Sequence, residues 1–67
     1  MSPLYYGRFN NHGEVLDEFC RAENEKRAFS ILTARIAVML GKTVVSVRQQ
    51  YNGKKDNYKI KEVKDGI

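Results

Sequence analysis

The chain has 67 residues, 42% of them hydrophobic, and a formal net charge of +4. That length allows one domain, residues 1–67, and a single core of one helical layer against one sheet. It excludes a second core, and no run approaches the roughly 20 apolar residues of a membrane helix.

Leu4-Tyr5-Tyr6-Gly7-Arg8-Phe9 is aromatic-rich and reads as a strand, and Asn10-Asn11-His12-Gly13 as the hairpin turn that follows. Glu14 to Ala22 is the return strand. Val15, Leu16, Phe19 and Cys20 also have spacings that suit one helix face. The tight turn just before this segment favours the strand, with a bulge to bring both Leu16 and Phe19 toward the core.

Asn24 can cap a helix, and Glu25 suits its positive end. The spacing predicts a helix from Glu25 to Leu40, closed by Gly41. Ala28, Phe29, Leu32, Ile36, Met39 and Leu40 fall within an arc of roughly 120° and form the expected core face. Ile31, Ala34 and Val38 make a second apolar strip beyond Arg35. It is either the flank of the core or a contact for a partner subunit in a homo-oligomer.

Thr43 to Tyr51 reads as a strand with Val45, Val47 and Tyr51 on one face and Val44, Ser46, Arg48 and Gln50 on the other. Residues 52–57 form a turn, and Tyr58 to Val63 returns as the last strand, with Tyr58 and Ile60 opposite Lys59 and Lys61. Residues 64–67 are a tail beyond a core of about 4–63. Hairpin, helix, hairpin gives an α+β fold, a four-stranded antiparallel sheet with one helix packed on one face. The other face is left to solvent or a partner.

Charge is unevenly placed: residues 1–34 sum to −1 and residues 35–67 to +5. A basic block of this kind is compatible with an anionic partner or with simple solvation. The single cysteine, Cys20, excludes an intrachain disulfide and fits a reducing compartment. Met1-Ser2-Pro3-Leu4 lacks the basic-then-apolar pattern of a signal peptide, so the expected location is the cytoplasm.

Catalytic equipment is missing. Cys20 and His12 are single residues of their kinds, so the usual metal-ligand sets cannot be assembled. Gly41-Lys42-Thr43 follows a helix and precedes a strand, the reverse of a phosphate loop. Glu14, Asp17 and Glu18 are neighbours on a hairpin with no cleft to shift one pKa. The expectation is a non-enzyme with no cofactor, no metal, no small-molecule substrate and no membrane.

The open sheet face carries the functional expectation. It collects Tyr6, Arg8, Arg48, Gln50, Lys59 and Lys61, with Lys54 and Lys55 at the adjoining turn. Such a surface can stack bases on an aromatic and track phosphates with cations. It can equally be a polar face kept soluble by lysines, which also protect a sheet edge.

Phe19-Cys20-Arg21-Ala22-Glu23-Asn24-Glu25-Lys26-Arg27-Ala28 and Gly41-Lys42-Thr43-Val44-Val45-Ser46-Val47 together form a pattern. A strand ends in Ala-x-Asn-Glu-x-x-Ala, a helix follows, and a glycine leads into a valine-rich strand. This pattern resembles small β-β-α-β-β proteins of phages and mobile elements, some of them anti-CRISPR inhibitors. It is similar also to the small archaeal ribosomal protein LX, an RNA binder. The first resemblance implies a non-catalytic inhibitor that blocks a nucleoprotein machine, and the second implies contact with ribosomal RNA.

The leading expectation is a small binding protein of phage or mobile-element type. It docks Tyr6, Arg8, Arg48, Lys54, Lys55, Lys59 and Lys61 on a nucleoprotein complex or its nucleic-acid site. The alternative is a direct RNA- or DNA-binding module using the same residues. A homo-oligomer built through Ile31, Ala34 and Val38 is the third.

Overall fold

A computed structural model describes residues 2–53 and 56–64. Lys54 and Lys55, expected at the turn after residue 51, and residues 65–67, expected as part of the tail, lie outside the described residues.

The chain runs β1 (Leu4–Asn11), β2 (Glu14–Arg21), α1 (Glu25–Leu40), α2 (Val44–Gln50) and β3 (Tyr58–Val63). The architecture is α+β, with a three-stranded antiparallel sheet in the order β2-β1-β3 and two helices. Strand β1 is therefore central, paired with β2 on one side and β3 on the other.

His12 and Gly13 turn the first hairpin with φ of 52° and 96°. A two-residue connection with both residues at positive φ matches the twist of the flanking strands. Asn10 tightens it, its Oδ1 accepting from Gly13 N at 2.7 Å. The register through β1 and β2 is one-to-one from Leu4↔Arg21 to Asn11↔Glu14. The expected bulge is absent, so strict alternation sends Leu16 and Cys20 inward and Phe19 outward, where it is 52% exposed.

Helix α1 begins and ends where its caps dictate. Asn24 Oδ1 accepts from Arg27 N at 2.8 Å. At the other end Gly41 adopts φ 67°, which lets Lys42 N reach Ala37 O at 2.9 Å. Ala28, Leu32 and Ile36 are fully buried against the sheet. Gly7 lies beneath them; a Cβ there would stand 2.7 Å from Leu32 Cδ1, which is why the central strand carries a glycine under the helix.

The segment expected as a fourth strand, Thr43 to Tyr51, is α2 instead. Thr43 caps it, its side chain accepting from Ser46 N at 3.1 Å, and Val47 N donates to Thr43 O. Val44, Val47 and Tyr51 fall at helical spacing and turn inward, while Val45 is 66% exposed. The β-branched run favours a strand locally, but cap and packing against α1 outweigh it. The sheet therefore has three strands, and two helices replace the single helix expected.

The second helix also moves the core. It packs on the side of α1 that carries Ser30, Thr33 and Ala37, the last two buried. Met39, expected in the core arc, is 53% exposed. Phe9, Tyr51 and Tyr58 join the halves: Phe9 meets the edge of Tyr51 at 5.0 Å and stacks on Tyr58 at 5.7 Å. Among the described residues no single helix is long and apolar enough to cross a membrane.

Candidate nucleic-acid interface

Both helices lie on one side of the sheet, which leaves the other side uncovered. The registers set out that face in rows across β2, β1 and β3. Arg21, Leu4 and Val63 form the first row, and Phe19, Tyr6 and Lys61 the second. Asp17, Arg8 and Lys59 form the third, and Val15 and Asn10 begin the fourth. Rows are two residues apart, roughly 6.7 Å.

Tyr6 and Phe19 make an aromatic step, with ring centroids 5.1 Å apart and planes at 44°. Four cations surround it on this face, Arg8, Arg21, Lys59 and Lys61, against one anion, Asp17. The two lysines are exposed. Arg21 Nη1 donates to Ser2 O at 3.1 Å, which ties the start of the chain to the face.

Asp17 is shared by two neighbours. Tyr6 Oη donates to its Oδ1 at 2.6 Å, and Arg8 Nε donates to the same oxygen at 3.3 Å. The Tyr6 hydroxyl and then the Arg8 guanidinium hold the Asp17 carboxyl below the ordinary carboxylate value. In return, the bond to Asp17 raises the Tyr6 phenol and the Arg8 guanidinium. Both side chains of the ion pair are about half exposed, so the pair orders the face more than it stabilises the fold.

Of the residues expected on this face, the structure brings together Tyr6, Arg8, Lys59 and Lys61. Arg48 and Gln50 leave it because they belong to α2. Arg48 bonds to α1 instead, and Gln50 Nε2 bonds Asn11 Oδ1 at 2.9 Å. Phe19, Arg21 and Val15 enter it. Their signal was available in the alternation of Val15, Asp17, Phe19 and Arg21, once no bulge is placed in β2.

The strip of Ile31, Ala34 and Val38 divides. Ile31 packs against the core, Ala34 is half-buried, and Val38 alone is fully open at 83% exposure. Cys20 is buried, and burial pushes its thiol up, opposite to the low pKa of a reactive cysteine. Among the described residues no three His, Cys, Asp or Glu side chains gather as a metal-binding set.

Comparison with protein-family models, with curated proteins and with solved structures finds no match.

Proposed function

We propose that this chain is a small non-catalytic binding protein that holds a single nucleic-acid strand on its uncovered sheet face. The strand is either free or the nucleic-acid part of a nucleoprotein complex. The observation that carries this reading is the step of half-buried Tyr6 and exposed Phe19, enclosed by Arg8, Arg21, Lys59 and Lys61. Unpaired bases stack on such aromatics, and the cations meet the phosphates between them. Duplex bases are already stacked and present only their edges in grooves, which a flat sheet face does not enter.

Charge also decides what such a face would meet in a nucleoprotein complex. The nucleic-acid cleft of a protein is basic and repels a face with four cations and one anion. The strand itself attracts it. An inhibitor of the phage type suggested by the sequence pattern would therefore act by competing for the strand, and the same face would serve a ribosome-associated role.

The test is fluorescence anisotropy with mixed-sequence single-stranded RNA, single-stranded DNA and duplex DNA across a salt series. Four phosphate contacts give a log–log salt slope of about −3 on single strands. Single strands are expected to bind more tightly than duplex. Negligible binding to both single strands overturns the reading and turns the search to a protein partner.

A further inference from the structure

We propose that the hollow beside Arg8 and Lys59 is a base pocket that takes guanine. The proposal rests on the strand-binding reading and adds a base identity to it. The hollow has a volume of about 350 Å³ and is lined by Arg8, Asn10, Val15, Asp56, Asn57 and Lys59, among others. That lies at the lower end of the roughly 300–1,000 Å³ of small-molecule sites.

Its position continues the uncovered face. Val15 stands opposite Asn10 across β1 and β2. Asn10 N donates to Asn57 O at 2.8 Å, which carries the β1–β3 ladder one step past Tyr58. The hollow therefore adjoins the Asp17–Arg8–Lys59 row. Asn10 is four residues along β1 from Tyr6, about 13 Å. A strand stacked on Tyr6 and Phe19 runs past Arg8 before its next base meets the hollow.

The polar inventory selects the base. Asn10 Oδ1 is engaged by Gly13 N and Asn57 Nδ2 donates to Gln50 O at 2.8 Å, while Asn57 Oδ1 is a buried acceptor without a partner. The charged groups of the lining are Arg8 and Lys59, which only donate, and Asp56, which only accepts. A phosphate satisfies the two cations and is repelled by Asp56. Guanine meets all three. Its N1–H and N2–H₂ lie side by side on one edge and suit the two carboxylate oxygens. Its O6 and N7 accept from Arg or Lys on another edge. Adenine and cytosine present one amino donor beside an acceptor, and uracil one N–H between two acceptors, so each leaves Asp56 poorly matched. The Asp17 contact engages Arg8 through Nε, an arrangement that a ligand at the terminal nitrogens does not have to displace.

The experiment compares an all-uridine RNA octamer with the same octamer carrying one central guanosine or one central inosine, by anisotropy on the full chain. Wild type and Asp56→Asn are both measured, and the readout is the affinity ratio to all-uridine. Guanosine is expected to improve binding at least about fivefold in the wild type, and inosine, which lacks the N2 amino group, to lose most of that gain. In Asp56→Asn the guanosine ratio falls to about one. A ratio near one in the wild type, with both RNAs bound, overturns the pocket and leaves the strand reading intact. A guanosine gain that persists in Asp56→Asn also overturns it. Failure to bind any octamer overturns the pocket, and only negligible binding to single-stranded DNA as well overturns the strand reading.

Discussion

The Arg48 guanidinium reaches from α2 to the hydroxyl of Thr33 on α1, with Nε 3.2 Å from Oγ1. Its Nη2 bonds Ser30 twice, at Oγ (2.9 Å) and at the carbonyl oxygen (3.2 Å). Thr33 is fully buried, and its own proton goes back to Phe29 O at 2.7 Å. Arg48 therefore satisfies a buried oxygen and joins the two helices. Arg48→Ala is expected to lower the unfolding free energy by about 1–3 kcal/mol. A chain of this length has only about 3–10 kcal/mol in all, so urea denaturation resolves the change. Affinity for a single strand should change by less than about twofold, because Arg48 is off the sheet face and distant charge is screened. A loss of binding at unchanged stability would return Arg48 to the binding surface.

The fate of Arg48 also shows where sequence reasoning carries and where it stops. Helix α1 is legible because its determinants are local: the Asn24 cap, the Gly41 close and the Ala28–Leu32–Ile36 spacing. The first hairpin is legible from its Asn and Gly turn, and β3 from its alternation. Residues 43–51 fit both periods, since Val45-Val47-Tyr51 suits a strand and Val44-Val47-Tyr51 a helix. The deciding contact is with α1, which no local window contains. The site follows the same division. Tyr6, Arg8, Lys59 and Lys61 are readable from β1 and β3, whereas Phe19 and Arg21 depend on an unbroken register in β2.

Phe19 offers the cleanest separation of binding from folding. Its ring is 52% exposed and contacts Tyr6, so Phe19→Ala costs little stability, under about 1 kcal/mol. Strand affinity should fall by about 1–3 kcal/mol, the loss of one stacked base. Tyr6→Phe keeps the ring and removes only the hydroxyl that donates to Asp17. It should retain most of the affinity. A large loss in Tyr6→Phe with none in Phe19→Ala would mean that the hydroxyl, and not the stacked rings, holds the ligand.

Gly7 tests the packing of α1 on β1. A methyl group there meets Leu32 Cδ1 at 2.7 Å and Phe9 Cε1 at 2.9 Å, and both side chains are fully buried. Neither can swing into open space. Gly7→Ala is therefore expected to destabilise the fold by about 1–3 kcal/mol through overpacking, despite the better backbone entropy of alanine. Thermal unfolding followed by circular dichroism measures it. An unchanged or raised midpoint would show that α1 rides further from the sheet.

Asp17 links stability and binding with opposite signs. Its folded-state pKa is lowered, first by the Tyr6 hydroxyl and then by Arg8, so the folded state favours the carboxylate. The contribution to stability is present above the ordinary value of 3.8 and is lost as pH falls through the lowered one. Asp17→Asn should flatten this acid limb in urea titrations below about pH 4. At neutral pH the same carboxylate opposes strand binding. It stands in the third row of the face and partly neutralises Arg8. Its removal is expected to tighten single-strand binding about two- to fivefold at low salt, where surface charges are least screened. The salt slope should stay at about −3, because Arg8 already counts among the four cations that meet phosphates in the wild type. Weaker binding by Asp17→Asn would assign the carboxylate the opposite role, that of positioning the Tyr6 ring and the Arg8 guanidinium for the ligand.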